Sequence, residues 1–250
     1  MNYRLTIQYD GTEFSGWQIQ EGQRTVQGEL ARALSLIEGA EVSVHGAGRT
    51  DAGVHAEAQV ASARMTREVE PERLRAALNG NVGRDLRVTD VREAPEDFHA
   101  RYSARGKTYC YRVFNECFMS PFWARYALHE SRALDLEAMR AAASLFIGEH
   151  DWTAFSAAQS DVKTRVRRVT ELDITERRSG RGRGRLLEIR ASADGFLRYM
   201  VRSMTGALLA VGRGELDAAA VRAAIETGVR LQAIATAPPH GLTLVEVRYE

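Results

Sequence analysis

The run Gly46-Ala47-Gly48-Arg49-Thr50-Asp51-Ala52-Gly53-Val54-His55-Ala56 constrains this chain more than any other stretch. It sets three glycines, one arginine and one carboxylate between two β-like runs, 41–45 and 59–65. Alternating segments on either side of a glycine-rich turn predict strand, loop, strand, with Asp51 presented at a sheet end. Glycine supplies backbone angles closed to other residues and lets a ligand approach the main chain. An Asp held beside an Arg by such a turn stays ionised and is equipped to attack or to accept a proton. On spacing alone, a turn that only reverses the chain competes with that reading. A dinucleotide fingerprint fails, because Asp51 stands where its third glycine belongs. A P-loop fails too: the triplet Gly106-Lys107-Thr108 lacks the glycine five residues before Gly106, where Arg101 stands.

The rest of the chain predicts interspersed strands and helices. Residues 1–10 alternate and read as a strand, followed by a turn-rich loop with Gly11, Gly16 and Trp17. Thr25 caps a helix through Ile37 that Gly39 stops, and Pro71 opens a short helix through Leu78. Residues 86–92 and 107–114 read as strands, and Asp135 caps a helix with Leu136, Met139, Ala143 and Phe146 on its inner face. Residues 166–176 and 186–193 form a hairpin joined by a polar Gly/Arg-rich connection, 177–185, expected to be mobile. Helices over 196–211 and 217–227 and a closing strand over 242–249 complete the layout. Without strict βαβ alternation the fold class is α+β with mixed or antiparallel sheets. Two similar-sized subdomains are expected, 1–104 and 105–250, with helices packed on one face of each sheet.

A chain of 250 residues is long enough for a real core. Its longest apolar run, 204–212, is far short of the ~18 residues that span a bilayer. The first residues go straight into the alternation Tyr3, Leu5, Ile7 and Tyr9, so no signal peptide and a cytoplasmic location are expected. Cys110 and Cys117 form no C-x-x-C pair, and no two histidines stand at H-x-x-x-H spacing, so no metal is expected.

A net charge of +1 says nothing of nucleic acid, but its distribution does. Residues 98–113 carry Arg101, Arg105, Lys107 and Arg112 with no acid. Residues 163–185 carry nine cations, Lys163, Arg165, Arg167 and Arg168 among them, against Glu171, Asp173 and Glu176. Such excesses track a phosphate backbone or form a solvated charged face. Arginine suits bidentate phosphate contacts.

Several segments in order resemble the TruA family of tRNA pseudouridine synthases. Gly46 to Ala56 resembles the family signature whose Asp is catalytic, here Asp51. Tyr9-Asp10-Gly11-Thr12-Glu13-Phe14-Ser15-Gly16-Trp17-Gln18 is similar to its N-terminal motif, and Phe98-His99-Ala100-Arg101 to its mid-chain motif. Lys107-Thr108-Tyr109-Cys110-Tyr111 resembles the strand bearing the substrate-stacking tyrosine, Tyr109. Phe196 through Met200-Val201-Arg202 resembles the helix bearing the active-site arginine, Arg202, and Gly241-Leu242-Thr243-Leu244 the last motif, whose Leu244 packs at the site. Ser203 where asparagine is frequent and Arg165 at a usually apolar or proline position are departures that bear on RNA docking.

The resemblance implies a pseudouridine synthase fold with an active-site cleft between the subdomains. It implies isomerisation of uridines 38, 39 and 40 in the tRNA anticodon stem-loop, by a homodimer, with no cofactor. Asp51 acts as nucleophile or base on a flipped-out uridine, with Arg202 as the neighbouring cation. Tyr109 stacks the uracil, Arg49 holds the phosphate or fills the vacated space, and Leu244 lines an apolar wall. Arg101, Arg105, Lys107, Lys163, Arg165, Arg167 and Arg168 are the candidates for backbone contacts. A non-catalytic tRNA-binding module is the alternative, and it makes Asp51 dispensable. An Asp-based glycoside hydrolase is a poorer one, because nothing marks Glu57 as a second carboxylate.

Overall fold

A computed structural model describes residues 1–158, 162–178 and 184–250. The chain forms two compact units, Met1–Arg105 with Thr243–Glu250, and Gly106–Leu242.

The first unit opens with β1 (Asn2–Tyr9), α1 (Val26–Glu38), β2 (Val44–Gly46), β3 (His55–Arg64), α2 (Pro71–Asn81) and β4 (Leu86–Ala94). β1 runs antiparallel to both neighbours, Leu5 standing opposite Ala61 of β3 and Val91 of β4. Its predicted alternation puts Tyr3, Leu5 and Ile7 on a fully buried face. The Thr25 hydroxyl accepts the Gly28 N–H at 3.2 Å to start α1, and Gly39 ends it at φ 81°. Glu70 caps α2 by accepting the Glu72 and Arg73 N–H groups. The two helices pack together, α1 also against β2 and α2 against β4.

β3 differs from the sequence expectation. It starts at His55, four residues before the run read as a strand, and β2 is only three residues long. Consecutive residues from Gln59 to Ala63 are buried, so side-chain alternation does not mark this strand. Backbone pairing marks it, to β1 on one edge and to β2 on the other.

The second unit contains β5 (Gly106–Asn115), β6 (Leu128–Glu130), α3 (Leu136–Ala143), β7 (Gly148–Asp151), β8 (Val166–Arg178), β9 (Arg185–Ala193), α4 (Met200–Gly212) and α5 (Ala218–Thr227). The predicted hairpin is present, with Ile174 of β8 opposite Ile189 of β9. The middle of its connection, 179–183, lies outside the described residues. β5 flanks β9, Tyr111 opposite Ile189, and carries β6 in parallel; β7 lines the far edge of β8. Asp135 caps α3 through the Glu137 and Ala138 N–H groups, but Phe146 falls in a 3₁₀ turn after it. There Phe146 packs on Trp152 and Phe155, all three fully buried.

The last strand, β10 (Leu242–Arg248), corrects the expected domain boundary. It belongs with the first unit, running parallel to β3 with Thr243 opposite His55 and Leu244 opposite Ala56. Its apolar alternation announced a strand without naming a partner. Among the described residues no helix is long and apolar enough to cross a membrane.

Candidate active site

Residues 47–54 leave β2 and return as β3, so the Asp51 loop hangs from two paired strands. Backbone hydrogen bonds fix its path. The Ala47 N–H donates to the Val60 carbonyl at 2.7 Å, and the Val54 N–H to the Asp51 carbonyl at 3.1 Å. The Gln59 amide donates to the Gly48 carbonyl at 3.0 Å. Gly53, at φ 78°, takes the left-handed angle that this tight return requires.

The N-terminal loop after β1 fastens the same turn from outside. The Trp17 N–H donates to the Thr50 carbonyl at 3.0 Å, and the Tyr9 hydroxyl shares a 2.8 Å hydrogen bond with Thr50 Oγ1. A Cβ at Gly16 would stand 2.7 Å from the Thr50 oxygen, and φ there is +87°. Only glycine fits that approach. The Gly11 N–H donates to His55 Nδ1 at 2.9 Å, with the Asp10 carboxylate 3.2 Å from the same nitrogen. Burial pushes the Tyr9 phenol up to about 12, partly offset by hydrogen bonds from Thr50 and Gln59, so it stays protonated at neutral pH.

Burial alternates through the tip of the loop. Thr50 is buried and anchored, Arg49 is exposed and Asp51 is half-buried. Anchoring the middle residue leaves its charged neighbours at the surface on a backbone held by hydrogen bonds. Leu244, fully buried opposite Ala56, packs the root of β3.

The second unit holds Tyr109 and Arg202. Tyr109 lies on β5 with its ring edge-on to Phe196 at 5.3 Å and 89°. Arg202 is the one residue of α4 that is not buried. Its Nε donates to the Ala237 carbonyl at 2.7 Å, and the Ala237 N–H returns a bond to the Arg202 carbonyl at 3.0 Å. Nearby, burial raises the Tyr111 phenol well above its ordinary value, opposed by the Arg202 charge, and its hydroxyl donates to the Pro238 carbonyl.

The basic candidates fare differently from one another. Arg101, Arg105, Lys163 and Arg168 are exposed, and Lys107 is half-buried at the start of β5. Arg165 spends its guanidinium on Ser156 Oγ and the Ala158 carbonyl, and Arg167 on the Thr164 and Val166 carbonyls. In the hairpin, Arg177 pairs with Glu188 and Arg185 with Glu176, so part of the counted excess is neutralised locally.

Residues 5–103 and 142–250 match the protein family described as tRNA pseudouridine synthase. A Bacillus cereus protein named tRNA pseudouridine synthase A 2 is 40% identical over 99% of both chains. A Methylacidiphilum infernorum tRNA pseudouridine synthase A is 44% identical over all of this chain and 96% of its own. The chain belongs to the tRNA pseudouridine synthase family. A solved chain of a Cbf5-Nop10-Gar1 complex covers 82% of this chain and 54% of its own at 14% identity, with a TM-score of 0.31, too slight a likeness to bear on the site.

One feature of this family member was not legible in its sequence. The sequence pattern predicts the first turn of a helix over 196–199, but α4 starts only at Met200. Tyr199 sits at φ 67°, ψ 0°, the one non-glycine residue with positive φ among those described. A bulky residue in that region is strained by about 1–3 kcal/mol, and such strain collects at functional sites. The Arg202 guanidinium lies over the Tyr199 ring at 5.0 Å and that of Arg198 at 4.8 Å. The strained turn thus aims a ring at Arg202. No sequence signal marks it, because glycine or asparagine is the usual sign of such an angle.

Proposed function

We propose that this chain isomerises uridine to pseudouridine at positions 38, 39 and 40 of the tRNA anticodon stem-loop, with Asp51 as nucleophile or base. Membership of the family makes it an isomerase that acts on tRNA. The observation that carries the finer reading is the Asp51 loop: a half-exposed carboxylate on a backbone pinned by Tyr9, Trp17 and Gln59. Fixing a reacting group before substrate arrives removes entropy and reorganisation costs from the chemical step.

In this reading the uridine flips out of the stem-loop to be reached. The bond from ribose C1′ to uracil N1 breaks, the base turns, and C1′ joins carbon 5. The proton on carbon 5 goes to solvent and N1 gains one, so the reaction needs no redox partner and no group donor. Tyr109 gives the uracil a flat face, Arg49 and Arg202 meet the nucleotide's negative charge, and Leu244 keeps the root of the loop rigid. Arg101, Arg105, Lys107, Lys163 and Arg168 contact phosphates, so affinity falls as salt rises. Arg165 and Arg167, engaged with their own backbone, contribute less. The enzyme works as a homodimer in the cytoplasm.

Carbodiimide adduct mapping on an unmodified tRNA transcript tests the positions. Stops at 38, 39 or 40 after treatment with the parent support the proposal; stops elsewhere, or none, contradict it.

A further inference from the structure

A second aromatic feature lies in the first unit, beside the phosphate-contact candidate Arg101. The His45 and His99 rings stand 4.9 Å apart at 31°, and the His99 and Tyr102 rings 4.4 Å apart at 38°. Three rings thus form a short ladder. Its last rung, Tyr102, is 78% exposed. We propose that the outer face of Tyr102 is a stacking platform for an unpaired base of the tRNA, a contact distinct from the one that Tyr109 makes with the reacting uracil. The inference rests on the tRNA substrate proposed above.

The platform is built before any ligand arrives. His99 Nδ1 accepts the Arg101 N–H at 3.1 Å and the Tyr102 N–H at 3.4 Å; the His99 N–H donates to Ser103 Oγ at 3.1 Å, and the Ser103 N–H donates to the His99 carbonyl at 2.9 Å. Ser62 Oγ on β3 accepts the Ala100 N–H, and the Tyr249 hydroxyl donates to the Ala100 carbonyl. His45 stands opposite the same Ser62 in the β2–β3 pairing. Burial, reinforced by His45, holds His99 below the usual imidazole range, which suits a ring nitrogen that accepts two N–H groups.

Charge and position select the occupant. The Arg101 guanidinium is 5.8 Å from the Tyr102 ring centre, Arg105 is exposed nearby in sequence, and 98–113 holds no acid. An exposed ring with a cation beside it matches a base on its phosphate backbone, since every base has a π-face and every nucleotide a negative charge. His45 is followed directly by Gly46, from which the Asp51 loop departs. The inner rung of the ladder, His45, therefore sits on the strand from which the loop of the candidate carboxylate hangs.

The test uses Tyr102→Ala and Tyr102→Phe in the complete chain, with an unmodified tRNA transcript at fixed salt. Filter binding gives Kd, and tritium release from uridine labelled at carbon 5 gives kcat and KM. Tyr102→Ala is expected to weaken Kd and KM roughly 5- to 150-fold with kcat within about twofold of the parent, while Tyr102→Phe matches the parent. Exposure of the side chain predicts parental Tm for both. Parental Kd in Tyr102→Ala, a loss confined to kcat, or equal damage by phenylalanine overturns the platform. If the parent releases no tritium yet Tyr102→Ala still loses affinity, the platform stands and the isomerase reading falls.

Discussion

The two units hold their candidate residues in opposite ways. The first puts Arg49 and Asp51 on an irregular loop and makes it rigid with tertiary hydrogen bonds and glycine approaches that tolerate no side chain. The second puts Tyr109 in the middle of a strand and Arg202 on an almost wholly buried helix, where ordinary ladders and packing supply rigidity. Among the described residues of the second unit, Tyr199, just before that helix, is the one non-glycine at positive φ. A loop can be shaped around a reacting group but needs many fasteners; a helix or strand needs few but fixes only direction.

That contrast is open to breakage, most severely in the loop. Gly16→Ala forces a Cβ toward the Thr50 carbonyl at a left-handed φ, so a stability loss above about 1 kcal/mol and a fall in kcat of about 100-fold or more are expected. Thermal melts and tritium release read both; parental kcat would show that the fasteners do not matter. Leu244→Ala removes a fully buried side chain from the root of β3 and should cost about 2–5 kcal/mol in a denaturant melt. A cost below about 1 kcal/mol would mean that this wall collapses freely.

Milder changes sharpen the contrast. Tyr199→Gly relieves the strained φ but removes the ring under Arg202, so Tm should hold or rise while KM for tRNA rises. A lower Tm with unchanged KM would make Tyr199 a purely structural residue. Thr50→Val deletes the hydrogen bond to Tyr9 and should cost about 1 kcal/mol. The smallest effect belongs to the charges. Arg168→Ala should lower the slope of log Kd against log salt by about one, whereas Arg177→Ala, already paired with Glu188, should leave it unchanged.

Much of this was readable because the signals are local. Thr25, Gly39, Asp135 and the glycines of the 46–56 run act within a few residues of themselves, and their helices and loop lie where expected. Features that depend on distant partners were not readable. The closing strand pairs with β3, but nothing in 242–249 names that partner. β6 and β7 are three and four residues long, too short to show a period. Tyr199 shows no sign of its backbone angle, and His45 and Tyr102 are far apart in sequence. At the candidate site, the residue types at the tip of the loop were legible; the fasteners Tyr9, Trp17 and His55 acquire their roles only in three dimensions.

The central claim is that Asp51 does the chemistry. Tritium release from tRNA labelled at uridine carbon 5, measured for the parent and for Asp51→Asn with tRNA affinity measured alongside, tests it most directly. Release by the parent and near-total loss in Asp51→Asn at parental affinity are expected if Asp51 is the reacting group. Release by Asp51→Asn within about tenfold of the parent would contradict it.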